Sequence, residues 1–258
     1  MIEISELRKE FILSKKQKKE FNTKEAKSVA VDGVSFTCSP GRIFSLLGPN
    51  GAGKTTTLRM ISTIFKPTSG SINVAGIDAL KNPRDARRKI GFLTGSTGLY
   101  SRLTPNELIK YFADLYEVSN EDFKERKERL FTLLDMHDFK SKRIGKLSTG
   151  MKQKVSICRT LIHDPEVLIF DEPTSGLDVI TAENIIGLIR DSKNEGKTVI
   201  FSSHIMSEVD LLCDDMAIIH EGKMLFNGSK NEFMDQMQAE NITAEFIRIV
   251  NASKNGIS

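Results

Sequence analysis

Gly48-Pro49-Asn50-Gly51-Ala52-Gly53-Lys54-Thr55 stands between the apolar run Arg42-Ile43-Phe44-Ser45-Leu46-Leu47 and a segment, Thr56 to Phe65, that carries Leu58, Met60, Ile61 and Ile64 at helical spacing. The octapeptide fits the pattern G-x-x-x-x-G-K-T. It sits where that pattern has physical meaning, after a buried strand and at the start of a helix. Glycines let the backbone curl with its N–H groups pointing inward, and the helix N-terminus adds a positive field. A phosphate chain is the expected occupant. Lys54 has the reach for β- and γ-phosphates, and the Thr55 hydroxyl suits a Mg²⁺ ion. Gly48, Pro49, Asn50, Gly51, Ala52, Gly53, Lys54, Thr55 and Thr56 are therefore the expected nucleotide-binding residues.

Outward from this loop, composition sets limits. A chain of 258 residues, 39% hydrophobic and 28% charged, can bury a substantial core in one large domain or a domain with a subdomain. Its net charge of +3 carries no strong nucleic-acid signal. The apolar runs are far shorter than the roughly 20 residues needed to cross a bilayer. Met1-Ile2-Glu3-Ile4 lacks the basic-then-apolar pattern of a signal segment. Cys38, Cys158 and Cys213 are scattered, without metal-ligand or disulfide spacing, and read as buried free thiols of a reducing compartment.

Ile2–Leu7 and Val29–Cys38 alternate as strands, the second with a bulge or turn at Asp32-Gly33. Residues 14–27 are lysine-rich and read as a solvated loop or hairpin tip; contact with anionic lipid headgroups is the functional alternative. Ile72–Gly76 and Ile90–Leu93 are further strands, separated by a basic helical stretch from residue 83. Thr104-Pro105-Asn106-Glu107 is a helix start with Thr as N-cap. A second amphipathic helix runs from Glu121 to Leu134, so residues 97–160 read as a helical insert. Strand–helix alternation then returns: Val167–Phe170, Ile180–Lys193, Thr198–Phe201 and Ser207–Cys213, followed by a hairpin around Glu221-Gly222 and a helical tail from residue 229.

Val167-Leu168-Ile169-Phe170 ends in Asp171-Glu172. A buried strand ending this way delivers carboxylates to the sheet edge where ligands bind in open α/β folds. Asp171 is expected to hold Mg²⁺ through water, and Glu172 to take a proton from the water attacking the γ-phosphate.

With these segments in hand, the sequence resembles the nucleotide-binding subunits of ATP-binding-cassette (ABC) transporters over residues 1 to about 230. Leu147-Ser148-Thr149-Gly150-Met151-Lys152-Gln153-Lys154 is similar to the family's LSGGQ signature, with Thr149 and Met151 departing from it. The resemblance implies that Ser148 and Gly150 contact the γ-phosphate of ATP held by an opposite subunit; independently, Ser148 suits an N-cap of a helix whose N–H groups face an anion. Pro173 to Asp178 resembles the D-loop, which would put Asp178 at a dimer interface. His204, after Thr198–Phe201 and Ser202-Ser203, resembles the switch histidine that supports the attacking water or Glu172. Phe11 resembles the aromatic that stacks on adenine, with Phe21 as its rival. His137, His163 and His220 have no such context and receive no role. Gly95 stands where the family has a Gln that reaches Mg²⁺, so water or the Ser96 hydroxyl is expected to fill that part of the metal shell.

The expected fold is α/β, a P-loop NTPase with a RecA-like core, an antiparallel β portion and an inserted α-helical subdomain at about 97–160, within a domain of residues 1–230 and ahead of a helical extension at 231–258. The resemblance implies an ATPase using ATP and Mg²⁺, working as a head-to-tail dimer with a second ATP-binding subunit, taken as identical. Its implied partner is an integral membrane permease at the cytoplasmic face of the cell membrane, not nucleic acid. Phe92 to Tyr100 looks like the corresponding loop of bacterial sodium-export ABC systems. Drug or lipid export is an alternative, as is a soluble ABC ATPase acting on ribosomes or DNA. A phosphate-loop kinase does not account for residues 147–154 and His204 together.

Overall fold

A computed structural model describes residues 1–20, 25–94, 98–175 and 179–254. The chain opens with β1 (Ile2–Ile12), a short helix α1 (Lys15–Glu20) and β2 (Lys27–Cys38). Next come β3 (Ile43–Leu47), α2 (Lys54–Ile61), β4 (Ser69–Val74), β5 (Ile77–Asp78), α3 (Pro83–Arg88) and β6 (Ile90–Thr94). Helices α4 (Pro105–Leu115), α5 (Asn120–Leu133) and α6 (Thr149–Leu161) separate β6 from β7 (Val167–Asp171). The remainder is α7 (Val179–Asn194), β8 (Thr198–Ser203), α8 (Met206–Leu212), the hairpin β9 (Asp215–His220) and β10 (Lys223–Ser229), then α9 (Lys230–Gln236) and α10 (Ile242–Lys254).

Two sheets follow from the burial of these strands. Among the described residues, β2-β1-β4-β5 form an antiparallel sheet, and β10-β9-β3-β8-β7-β6 form a six-stranded one. Five strands of the second sheet run parallel, and β10 closes it antiparallel to β9. Strands β3, β7 and β8 are buried at every residue, which is why they read as continuous apolar runs rather than alternating ones. Their side chains still alternate between two cores. Ile43, Leu47, Leu168, Phe170, Val199 and Phe201 face the helices α4 to α8, whereas Phe44, Leu46, Val167, Ile169 and Ile200 face α2 and the antiparallel sheet. Phe36 of β2 stacks on Phe44 of β3 with ring centroids 4.7 Å apart, joining the two sheets.

Two sequence expectations need correction. The lysine-rich stretch does join the antiparallel pair β1–β2 as a hairpin tip, but its residues 15–20 form a helix rather than a solvated loop. The run Lys-Lys-Gln-Lys-Lys-Glu holds only straight-chain helix formers, and Lys18 N donates to Ser14 O at 2.9 Å to close its first turn. Helix α2 ends at Ile61 instead of Phe65. Thr63 adopts a left-handed φ of 58°, and the N–H groups of Ile64 and Phe65 fold back onto Arg59 O at 2.8 and 3.1 Å. The Thr104 N-cap is present with a complete capping box to Glu107, and all three cysteines are buried free thiols.

His163 shows how the helices grip the sheet. Its ring stacks on Tyr116 at 3.8 Å, and Nε2–H donates to Ile90 O at 3.1 Å. Nδ1 is then the unprotonated nitrogen, buried without a partner among the described residues. Burial pushes the imidazole down to about 4. The unfolded chain therefore takes up this proton first as pH falls. Stability from the neutral ring is complete above about pH 6.5 and is lost between there and about pH 4, on the order of 2–3 kcal/mol. Urea unfolding at pH 7 and pH 4 should show that loss in the native chain and not in His163→Gln; equal pH dependence in both would remove His163 as its source.

Candidate active site

Register brings the expected residues to one edge. In the β3–β8 and β7–β8 ladders Leu47 lies opposite Ser203, and Ser202 opposite Asp171. Gly48, His204 and Glu172, the next residues along, therefore leave the sheet at the same carboxyl end, where open α/β sheets place their ligands.

The loop after β3 is pressed against neighbouring backbone. A Cβ at Gly48 would lie 2.3 Å from Ile219 O, and one at Gly53 would lie 2.5 Å from Ala30 O. Gly51 and Gly53 take φ of 82° and 109°, the left-handed region that favours glycine. Gly222 N, in the β9–β10 turn, donates to Ala52 O at 2.9 Å and props the loop from outside. The result is a cavity of about 140 Å³ lined by Ala30, Asn50 to Thr56 and Glu172.

Lys54 is 4% exposed, and its ammonium donates to Gly48 O at 2.6 Å and Pro49 O at 3.2 Å. Burial pulls this group below the usual lysine range, opposed by the charges of Glu172 and Asp171. Thr55 Oγ1 donates to Asp171 Oδ1 at 3.0 Å, and Ser202 Oγ donates to the same oxygen at 2.8 Å. Ser202 Oγ also accepts from Glu172 N at 3.0 Å. That hydroxyl fixes the two carboxylates relative to each other, a role the sequence reading did not assign. Glu172 has a left-handed φ of 50°, and its Oε1 lies 3.8 Å from Lys54 Nζ and 3.3 Å from His204 Nδ1. A carboxylate held between a buried ammonium and a half-exposed imidazole has the surroundings of a proton acceptor.

The residues present suit Mg²⁺ and a phosphate chain. Hydroxyl and carboxylate oxygens of Thr55 and Asp171 form the hard donor set that Mg²⁺ takes. At Gly48 and Gly53 there is no room for a Cβ, and the left-handed φ of Gly51 and Gly53 curls the backbone into the kind of nest that receives phosphates.

Other expected residues lie apart. Ser148 caps α6, its Oγ accepting from Met151 N at 3.2 Å, and it is exposed while Gly150 is partly buried. No residue of α6 lines the phosphate-loop cavity. Phe11, near the end of β1, is partly buried and meets Phe65 edge-on at 5.6 Å, with Lys9 Nζ 5.1 Å from its ring centroid. Phe21, Gly95, Ser96 and Asp178 lie outside the described residues. A contact legible only in three dimensions joins α6 to this edge, where Gln153 Nε2 donates to Pro173 O at 3.4 Å.

A sequence profile described as ABC transporter matches residues 31–175. The chain is 42% identical to the ABC transporter ATP-binding protein NatA of Bacillus subtilis, over 88% of this chain and 93% of that one. It belongs to the ABC transporter family. As an ATP-binding subunit of this family it is an ATPase that binds ATP and uses Mg²⁺. A second relative, the linearmycin resistance ATP-binding protein LnrL of Bacillus subtilis, is 36% identical over 86% of this chain and 72% of its own length. Among solved structures, a dimeric ATP-binding cassette in a post-hydrolysis state with ADP and phosphate superposes with a TM-score of 0.77 at 25% identity, covering 89% of this chain and 98% of that one. The fold expected from the sequence, a P-loop NTPase with mixed α/β structure, stands.

Proposed function

We propose that two copies of this subunit close head-to-tail on ATP and drive export through a separate membrane permease. The observation that carries the dimer is the split of the site. The phosphate-loop cavity holds Lys54 and Glu172 but nothing from α6, whose Ser148-capped N-terminus is exposed. A second copy supplies Ser148 and Gly150 to the γ-phosphate side, with Asp178 at the interface, and the dimeric cassette structure supports this arrangement.

Lys54 and the loop amides hold the phosphates, and Phe11 stacks on the adenine. Thr55 and Asp171 hold Mg²⁺, which when bound neutralises charge on the phosphate oxygens. Glu172 accepts a proton from the attacking water, and His204, at 3.3 Å, orients Glu172. The α4–α6 segment, an inserted subdomain between β6 and β7, is the surface for the permease, and the subunit works at the cytoplasmic face of the membrane. No described helix is long and apolar enough to cross a membrane. Export as the direction draws on the relative named for linearmycin resistance; sodium is one candidate cargo, suggested by Phe92 to Tyr100.

Tagging the chain in its native cell and solubilising membranes gently tests the partner. An integral membrane protein recovered in stoichiometric amount is the expected result. Recovery only with ribosomes, with DNA or alone would overturn the transporter arrangement and leave the ATPase untouched.

A further inference from the structure

We infer that Glu208 is a positioning residue for hydrolysis, locking the turn that carries Glu172 to the turn that carries His204. The inference rests on the catalytic reading of those two residues given above. Glu208 lies in the first turn of α8 and is 9% exposed. Its Oε1 accepts from Thr174 Oγ1, two residues past Glu172, and its Oε2 accepts from Ser203 Oγ at 2.7 Å, one residue before His204. Ser203 Oγ in turn accepts from Ile205 N at 3.0 Å, which shapes the turn around His204. Thr174 and Ser203 are themselves buried, at 8% and 2% exposure.

No cation among the described residues lies within ion-pair distance of Glu208. A buried carboxylate served by two hydroxyls is an expensive way to hold a fold together, because its desolvation is only partly offset. What the two oxygens give is geometry: two donors on separate segments, drawn to one rigid group. The Ser202 hydroxyl ties Asp171 and Glu172 N on one side of the Glu172–His204 pair. Glu208 ties residues 174 and 203 on the other. His204 is half exposed, and its ring contacts Glu172, so its place depends on the backbone that Ser203 anchors. Without Glu208 only the Ser202 side of the pair stays tied, and residues 174 and 203 lose their common anchor; misplacement on the order of 1 Å costs up to about 10²-fold in rate.

The test is a set of variants of the full chain, assayed for steady-state ATP hydrolysis with Mg²⁺ and for ATP binding. Glu208→Ala should lower kcat about 10- to 30-fold with KM for ATP within about twofold, because the loop that holds the phosphates is not touched. Glu208→Gln should restore most of that loss, since the amide still bridges two hydroxyls that can rotate to suit it. In a His204→Ala background, Glu208→Ala should add no more than about a twofold loss, because the pair it aligns is already gone. The same fold-loss in both backgrounds would overturn the inference and mark Glu208 as merely structural, as would a KM change at constant kcat. Should Glu208→Ala not fold, Thr174→Val cuts one arm only and carries the same comparison between backgrounds. Full turnover in His204→Ala alone would sink the catalytic reading of His204, and the inference with it. An additive loss sinks the inference alone.

Discussion

Glu172→Gln is expected to cut ATP hydrolysis by about 10²–10⁴-fold while ATP remains bound, the range a positioned general base contributes. The substitution preserves the shape of a side chain whose Oε1 sits 3.3 Å from His204 and 3.8 Å from Lys54. It removes the charge and the basic site and leaves the backbone alone. That backbone is constrained: φ is 50°, and Glu172 N is held by Ser202 Oγ at 3.0 Å and Ser202 O at 3.2 Å. The amide therefore stands where the carboxylate stood, and loss of rate reports chemistry rather than a moved loop. Lys54 loses one counter-charge at 3.8 Å but keeps Asp171 nearby and its bonds to Gly48 O and Pro49 O, so ATP affinity should change little. On the proposed closure of two copies on ATP, the variant should also accumulate as an ATP-bound dimer in size-exclusion chromatography. Phosphate release and retained nucleotide are the measurements. Turnover equal to the native chain would remove Glu172 from the role, and a loss confined to KM would reduce it to a charge partner of Lys54.

How far the sequence alone carries depends on whether a feature is local. The strand before the phosphate loop and the strand ending in Asp171-Glu172 were readable because both are buried on two faces, which forces continuous apolar runs. The Thr104 and Ser148 caps were readable because capping is set within four residues. Strand order was not readable, since β3 lies between β8 and β9, both more than 150 residues away, a spacing evident from their positions. The same holds for the hydroxyl of Ser202, whose partners come from β7. In the sequence Ser202-Ser203 was only a polar pair ahead of His204. Glu208 was hidden for another reason: four residues before Leu212 it shares the buried face of α8, but nothing local marks a partner for its carboxylate, and only the folded turns at Thr174 and Ser203 reveal two donors. In α1 the lysine run was read as a charge pattern alone, while helix propensity set the local conformation.

Gly53→Ala should damage the phosphate loop twice over, through a strained backbone and through a clash. Gly53 is the residue ahead of α2, with φ 109° and ψ −2°, a conformation that costs an L-residue about 1–3 kcal/mol. The added Cβ would also lie 2.5 Å from Ala30 O, with Gly222 Cα and Val31 Cγ2 each at 3.5 Å. Backbone crowds it from β2 and from the β9–β10 turn, so relief requires moving the loop, at a further cost of about 1–3 kcal/mol. The first N–H groups of α2 and the Lys54 side chain move with it. ATP affinity should fall by about 30-fold or more if only 2 kcal/mol of this appears as lost binding, with a lower melting temperature besides. Gly51→Ala separates the two causes. Gly51 shares the left-handed backbone, with φ 82°, but a Cβ there meets nothing within 4 Å. It should show only the conformational part, about fivefold in affinity for about 1 kcal/mol. Calorimetric titration of both variants with ATP and Mg²⁺ decides the matter. Equal losses would mean that backbone conformation alone sets the cost. Native affinity in Gly53→Ala would mean that β2 yields freely and does not brace the phosphate loop.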